Sequence, residues 1–131
     1  LKELLTWFKH NNITDDIVQF PILVGNELSF EWNLWGDTLV TYEGLRKQNM
    51  LPFSCFYRKS LWEKVGGYDN LPFNDWGFWL KALRTGATIK YWPNPIYYFR
   101  QGVEERLSDK ERKAYGFETI RQQLLNKSDS I

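Results

Sequence analysis

The hydrophobic positions along the chain switch several times between helical and strand spacing. Apolar residues at positions 1, 4, 5 and 8 fall on one helical face, which predicts a first helix that closes near Asn12. A β-rich run follows at residues 17–24, and Gly25 and Asn26 offer a turn into a second run at residues 28–34, where apolar and polar residues alternate. These two runs predict a β-hairpin.

Short elements with clear end signals occupy the middle of the chain. Residues 60–63 fit a capping box, and the glycines at 66–67 supply a left-handed stop for the short helix that it opens. Apolar residues repeat at helical spacing over 76–83, and a glycine ends that helix. Two strand patterns, at 88–92 and 96–100, then flank a Pro-Asn-Pro turn.

The C-terminal part of the chain predicts one further helix. Ser108 and Glu111 form a second capping-box pattern, and apolar residues from Ala114 to Leu124 give the helix that follows one apolar face. We expect residues 127–131 to be a frayed tail.

Composition limits the class of protein more than its activity. The 131 residues have the size of one domain, which we take to span residues 1–131, with 43% hydrophobic and 25% charged residues. The net charge of +1 comes without a basic cluster, so we expect no nucleic-acid partner. No apolar run approaches the roughly 20 residues of a membrane span. The lone Cys55 excludes a disulfide framework and favours a reducing compartment.

Aromatic residues are unusually frequent, at 18% of the chain with seven Trp. A small core built from large side chains explains such a content, because each aromatic side chain buries roughly 150–250 Å². A surface on which sugars stack is the other explanation.

The block from residue 54 to residue 100 carries the strongest functional pattern in the chain. It contains, in order, a strand ending in Arg58, a short helix closed by Gly66 and Gly67, the pair Tyr68 and Asp69, the pair Asn74 and Asp75 followed by Trp76, and a Tyr-rich strand ending in Arg100. This order resembles the acceptor-side half of family 2 glycosyltransferases with the GT-A fold. In that family the Asp of an acidic pair followed by Trp is the catalytic base.

The resemblance implies an enzyme, an inverting glycosyltransferase that moves a sugar from a nucleotide-sugar donor to a saccharide or lipid-linked acceptor in surface polysaccharide synthesis. It assigns Asp75 as the catalytic base, Asn74 and Trp76 as acceptor-binding residues, and Arg100 as a ligand of the donor diphosphate. Such a base takes a proton from the attacking hydroxyl, and a helix N-terminus would hold it ionised and oriented. Asp is also a common N-cap residue, and position alone favours that role for Asp75.

Two other assignments have structural alternatives. Trp76 could form the floor on which an acceptor sugar stacks, but its helical phase with Trp79 and Leu83 fits a core position as well. Arg58 and Arg100 each end an apolar strand, where an Arg either binds a diphosphate bidentately or remains a solvated strand-end charge.

The block also departs from the family pattern. Asn74 replaces the first acidic residue of the pair, Gly77 stands where a further acidic residue often occurs, and no His follows Arg100. These changes leave open a degenerate, inactive enzyme.

The fold that the resemblance implies is α/β: part of a GT-A, Rossmann-like domain, with a few mixed strands flanked by helices and without the N-terminal nucleotide-binding half. The Asp-x-Asp motif with which the family holds Mg²⁺ or Mn²⁺ does not occur in this sequence. We therefore expect a divalent metal in the intact enzyme, no metal ligands in this chain, and no activity from this chain alone. Because the sequence begins at Leu1 and enters directly into a helix pattern, we expect a C-terminal fragment.

The expected partners and location follow from the same resemblance. A sheet edge that normally meets the missing half favours a homodimer. The family's usual setting implies the cytoplasm, with peripheral association at the inner face of the membrane. The competing interpretation is a non-catalytic carbohydrate- or protein-binding module, in which the aromatic residues form the binding surface. A flat face that exposes several Trp away from Asp75 would favour that module.

Overall fold

One extended segment of the chain is shared by two small sheets. The structure is a computed structural model that describes residues 1–26, 31–52, 54–100 and 107–131. These residues form the strands β1 (Ile17–Gln19), β2 (Ile22–Asn26), β3 (Glu31–Trp35), β4 (Phe56–Tyr57), β5 (Ile89–Tyr91) and β6 (Tyr98–Arg100). The first sheet has the order β4-β1-β5 and the second the order β3-β2-β6. Pro21, which has no N–H to donate, lies between β1 and β2, where the chain changes sheet.

Both sheets are mixed in strand direction. β1 and β2 run parallel to β5 and β6, with Ile17 opposite Ile89 and Leu23 opposite Tyr98. On their other sides they run antiparallel to β4 and β3. The expected mixed α/β class is confirmed.

One helix lies at the centre of the remaining structure. The described residues form α1 (Lys2–Asn11), α2 (Tyr42–Lys47), α3 (Lys59–Val65), α4 (Asn74–Arg84), α5 (Leu107–Tyr115) and α6 (Phe117–Asp129). α4 packs against α2, α3 and α6, and its residues 76–82 are all buried, which is the pattern of a core helix. None of these helices is long and apolar enough to cross a bilayer.

Two hydrophobic clusters hold these elements together. The larger cluster surrounds α4 and contains Trp76 and Trp79, both only 1% exposed. The smaller cluster packs α1 against β1, and there the rings of Trp7 and Trp92 lie 4.9 Å apart between centroids. The helical phase of Trp79 with Leu80 and Leu83 predicts a core position for it, and its burial confirms that prediction.

The side chain of Gln19 fixes a long loop onto β1. It is fully buried. Its Nε2 donates to the carbonyl oxygens of Gly36 at 3.1 Å and Thr38 at 2.8 Å, and its Oε1 accepts from the N–H of Val40 at 3.0 Å. One side chain thus satisfies three backbone groups of the segment between β3 and α2. Because buried backbone groups need partners, Gln19 determines where this segment lies and therefore where α2 begins.

The predicted β-hairpin is confirmed, but its turn is not where the sequence suggests. β2 and β3 pair antiparallel, and Gly25 and Asn26 are strand residues opposite Trp32 and Glu31 rather than a turn. A Cβ on Gly25 would come within 2.8 Å of the Trp32 side chain, so a glycine allows the close approach of β3. The predicted strand residues 28–30 lie outside the described residues.

The predicted glycine stop after α3 is confirmed. Gly66 and Gly67 have φ angles of 82° and 72°, in the left-handed region that favours glycine. The N–H of Gly67 donates to the carbonyl of Trp62 at 2.8 Å, which closes the helix. The capping box predicted for Ser60 is wrong, because α3 already begins at Lys59 and has no side-chain cap.

The single C-terminal helix and the frayed tail predicted from the sequence are both wrong. Gly116 has a φ angle of 79° and divides the segment into α5 and α6. α6 then continues to Asp129, whose carboxylate pairs with Arg46 of α2 at 2.8 Å. Leu125 and Ser128 are buried. Packing against α2 and α4 therefore orders a segment that local propensity alone would leave frayed.

Replacing Gln19 with Leu should lower the free energy of unfolding by about 2–4 kcal/mol, because the buried N–H of Val40 and two partly buried carbonyl groups lose their partner. Urea unfolding followed by circular dichroism measures this change. The matched control is Gln123→Leu at an exposed position of α6, which should change the free energy by less than about 0.5 kcal/mol. Equal effects of the two substitutions would contradict the role given to Gln19.

Candidate functional site

A cavity of about 740 Å³ lies beside the N-terminus of α4. Its walls come from the second sheet, from α4, α5 and α6, and from the segment after α2. Aromatic side chains form much of the wall: Trp35, Phe73, Trp76, Phe99 and Phe117. The polar groups at the wall belong to Gln48, Asn49, Asp75, Ser108 and Arg112. A concave site of this size, mostly apolar with a few polar groups, is typical of small-molecule binding.

One face of the second sheet forms the floor of the cavity. Side chains alternate between the two faces along a strand. Ile22 and Val24 of β2 and Phe99 of β6 line the cavity, and Val24 and Phe99 are register partners. The side chains of Tyr98 and Arg100, the neighbours of Phe99 on β6, consequently leave the strand on the opposite face of the sheet.

Asp75 reaches the cavity from the first turn of α4. The N-cap of this helix is Phe73, with a φ angle of 54°, so Asp75 is the second helical residue rather than the cap. Its side chain is half-buried, and the backbone N–H groups of Asp75 and Trp76 at this helix end favour its ionised form. The helix N-terminus thus fixes a carboxylate at the cavity wall.

Burial raises the pKa of the Asp75 carboxyl above its ordinary value. The two backbone N–H groups and the Asn49 amide act in the opposite direction, and burial outweighs them. A carboxylate with a raised pKa is a stronger proton acceptor, which is what general-base chemistry requires.

The side-chain amide of Asn49 orients this carboxylate. Asn49 Oδ1 accepts the N–H of Leu51 at 3.2 Å, so its Nδ2 is directed to Asp75 Oδ2, 3.3 Å away. Asn49 follows α2, whose first turn is capped by Thr41. No local pattern identifies Asn49 as a site residue, because its contact with Asp75 spans 26 positions of the sequence.

Trp76 joins three helices beneath the cavity. Its Nε1 donates to the carbonyl of Leu45 in α2 at 2.7 Å. Its ring stacks on Phe117 of α6, with centroids 5.6 Å apart and planes 19° apart. Trp76 therefore occupies a core position, the alternative to an exposed sugar-stacking floor. Only a small part of its surface reaches the cavity wall. Trp35 of β3, which is 38% exposed, offers a larger aromatic surface at the same wall.

Arg112 of α5 is a second charged residue at this wall. Its Cζ lies over the rings of Phe73 and Phe117, 5.9 Å and 5.7 Å from their centroids, which is within the range of cation–π contacts. The capping-box pattern predicts a helix here, but it does not show which helix face meets the cavity. Arg112 is therefore a site residue that the sequence pattern does not identify.

The two residues after the glycine stop lie in different surroundings. The hydroxyl of Tyr68 is 3.0 Å from that of Tyr57. Burial, this neighbour and the negative charge of Asp75 all raise the pKa of Tyr68, and its ring packs on Phe78 of α4. Asp69 instead pairs with the buried Lys81 of α4 at 3.1 Å, which is a structural contact.

The two strand-end arginines are not at the cavity wall. Arg58 donates from Nε and Nη2 to the carbonyl oxygens of residues 13–15, at 3.1–3.2 Å, and so anchors the loop before β1. Arg100 is exposed at the end of β6, on the face of the sheet opposite the cavity. The structure brings Asn74, Asp75 and Trp76 together on one helix turn, but it does not bring Arg100 to them.

The departures at Asn74 and Gly77 have different structural settings. Asn74 is the exposed first residue of α4, beside Asp75. Gly77 faces α6, and a Cβ there would lie 3.1 Å from Leu124 Cδ2. An acidic side chain at position 77 would push into α6, so the glycine fits the close packing of these two helices.

Other reactive groups of the chain offer little chemistry. Burial raises the pKa of the Cys55 thiol to about 12, which keeps it protonated. In the described ranges, no cluster of three or more His, Cys, Asp or Glu side chains could hold a metal ion.

Comparison of the chain with protein-family models, with curated proteins and with solved structures returned no match.

Replacing Asp75 with Asn should raise the free energy of unfolding at pH 7, because burial disfavours the ionised carboxylate in the folded chain. For an acid whose pKa is raised on folding, this penalty is complete above the folded-state pKa and vanishes below the unfolded-state value of about 3.9. The advantage of the variant should therefore shrink as the pH is lowered through this range. Urea unfolding at a series of pH values measures it.

Asp37→Asn is the matched control for this comparison. Asp37 is exposed, so its replacement should leave the free energy of unfolding within about 0.5 kcal/mol of wild type. An Asp75→Asn variant less stable than wild type at pH 7, or one whose advantage grows as the pH falls, would show that burial does not penalise this carboxylate.

Proposed function

We propose that this chain is the acceptor-side part of an inverting, nucleotide-sugar-dependent glycosyltransferase with a GT-A fold. The enzyme transfers a sugar to a saccharide or lipid-linked acceptor in surface polysaccharide synthesis. Asp75 is its general base, and Asn74 and Trp76 lie beside it on the acceptor side. The observation that carries the proposal is the half-buried Asp75 carboxylate, with its raised pKa, at the wall of a cavity large enough for a sugar.

The geometry around Asp75 suits proton transfer from an acceptor hydroxyl. That hydroxyl donates to the carboxylate, and its oxygen attacks the anomeric carbon of the donor sugar as Asp75 takes the proton. The bond from the anomeric carbon to the nucleoside diphosphate breaks on the opposite side, which inverts the configuration. Asn49 and the backbone N–H groups of α4 hold the carboxylate in place for this step.

The aromatic wall suits the apolar faces of a sugar ring. Trp35 and Phe99 line the cavity on the sheet side, and Phe73 and Phe117 line it on the helix side. Aromatic rings present large flat surfaces for stacking. The cavity therefore combines a proton acceptor with a surface that can hold an acceptor saccharide.

The donor site completes the proposal and belongs mainly to a nucleotide-binding half beyond this chain. A divalent metal, Mg²⁺ or Mn²⁺, accompanies the nucleotide-sugar donor there, held by residues of that half. Arg100, on the outer face of β6, is the candidate ligand of the donor diphosphate. This chain alone should therefore not catalyse transfer.

The proposal extends to location and assembly. We place the enzyme in the cytoplasm, in peripheral association with the inner face of the membrane where lipid-linked acceptors are presented. In the part of the chain that the structure describes, the outer edges of β3 and β6 have no strand partner, and such edges favour pairing with a second copy. Light scattering that shows only monomer at high concentration would contradict a homodimer.

A non-catalytic carbohydrate- or protein-binding module is the second candidate. The face of the second sheet opposite the cavity favours it, because Trp32 lies edge-on to Tyr98 at 6.0 Å and Tyr98 is 67% exposed. Leu34 is exposed on the same face. The burial of Trp76 and Trp79 argues against a flat face built from several Trp.

Glycosyl transfer by a longer protein that contains this chain and the nucleotide-binding half tests the proposal. Asp75→Asn should lower kcat about 10²–10⁴-fold, the usual contribution of a general base, while circular dichroism shows an intact fold. Asp37→Asn, at an exposed position, should leave kcat unchanged.

Unchanged transfer by the Asp75→Asn enzyme would contradict the role of Asp75 as the base. If the wild-type protein neither transfers nor hydrolyses any nucleotide sugar, the binding module or a degenerate glycosyltransferase becomes the better interpretation.

A further inference from the structure

The guanidinium of Arg112, an exposed residue of α5, lies over two aromatic rings at the wall of the Asp75 cavity. Its Cζ lies 5.9 Å from the centroid of Phe73 and 5.7 Å from that of Phe117. A guanidinium that packs over rings uses its faces for these contacts, and its N–H groups lie in its plane. They can therefore donate to an acceptor at its edge.

The same two rings connect Arg112 to the base. Phe73 is the N-cap of α4, two residues before Asp75. Phe117 stacks on Trp76, the residue that follows Asp75. Arg112, which belongs to α5, thus contacts two rings that lie next to the first turn of α4.

Arg112 is not the partner of the Asp75 carboxylate. The side-chain partner of that carboxylate is the amide of Asn49, whose Nδ2 lies 3.3 Å from Asp75 Oδ2. The guanidinium of Arg112 packs instead over the rings of Phe73 and Phe117. The cavity therefore presents a proton acceptor and a cation at separate places on its wall.

A cation at this wall selects for a negatively charged ligand. Arg112 and Asp75 are the charged residues among those that line the cavity in the described part of the chain. A neutral sugar would be served by the hydroxyl and amide groups of Ser108, Gln48 and Asn49. Arg matches the planar, bidentate geometry of a carboxylate or phosphate, and such charge-assisted hydrogen bonds are about twice as strong as neutral ones.

We propose that Arg112 binds an oxyanion of the ligand, a carboxylate or a phosphate, while a hydroxyl of the bound acceptor meets Asp75. This inference rests on the proposed function and adds the charge of the ligand to it. The oxyanion has two sources, an acidic group on the acceptor sugar or the diphosphate of the donor. In either case Arg112 is the cation at the cavity, whereas Arg100 starts on the opposite face of the sheet.

Nuclear magnetic resonance titration of the 131-residue chain tests this inference and is suited to weak binding. The probes are glucuronate, which carries a carboxylate, glucose, which is its neutral counterpart, and UDP, which carries a diphosphate. The variants are Arg112→Gln, which removes the charge, and Arg112→Lys, which keeps the charge without the planar fork. Lys110→Gln is the control, because Lys110 is exposed on a different face of α5.

In the wild-type chain, at least one anionic probe should bind about tenfold more tightly than glucose. Arg112→Gln should remove this preference, Arg112→Lys should keep part of it, and Lys110→Gln should keep all of it. If Arg112→Gln weakens the binding of glucuronate alone, the oxyanion belongs to an acidic acceptor. If it weakens the binding of UDP alone, the oxyanion belongs to the donor. If it weakens the binding of both probes, the two anions share one oxyanion site.

Equal binding of glucose and the anionic probes would overturn the inference. So would the absence of anion binding at millimolar concentrations, or an equal loss in Arg112→Gln and Lys110→Gln. Asp75→Asn should bind the anionic probes at least as tightly as wild type, because it removes a negative charge from the same cavity wall, and this result separates the two proposals. If anion binding depends on Arg112 but glycosyl transfer does not depend on Asp75, the role of Asp75 as the base is rejected and the role of Arg112 stands.

Discussion

The geometry of the candidate site depends on the contact of Trp76 with two other helices. Its indole N–H binds the carbonyl of Leu45, in the last turn of α2, where helix carbonyls lack intrahelical partners. Its ring stacks on Phe117, the first residue of α6. Asp75 directly precedes Trp76, and Asn49 directly follows Gln48, the C-cap of α2. This one junction therefore determines how far the carboxylate lies from the amide that orients it.

The burial of α4 explains why a carboxylate at its start is perturbed. Residues 76–82 are covered by α2, α3 and α6, so the helix cannot turn to expose its first residues. Asp75 is left half-buried at the cavity wall, with hydrogen bonds that do not fully offset the loss of water. A desolvated carboxylate in a cleft destabilises a fold, and perturbed acids of this kind cluster at functional sites. The same packing thus gives both the stability of the core and the basicity of the site.

The elements with a local pattern were predictable from the sequence, whereas the contacts that build the site were not. Helical spacing around Trp76 predicts α4, and the glycine pair ending at Gly67 predicts the end of α3. Gln19 looks like an ordinary residue of an apolar strand, yet it satisfies backbone groups about twenty positions further along. Asn49 reaches Asp75, and Arg112 reaches Phe73, across long stretches of sequence. Contacts of this kind leave no periodic pattern in the neighbouring sequence.

α4 presents Asp75 as a desolvated carboxylate at the wall of a ligand-sized cavity. Carbon-13 resonance titration of the Asp75 side-chain carboxyl is the sharpest test of this arrangement, because the signal reports the protonation of that single group. We expect a midpoint above the ordinary Asp value of about 3.9, which shifts when an acidic sugar or UDP occupies the cavity. A midpoint at or below the ordinary value, unchanged by either ligand, would contradict it.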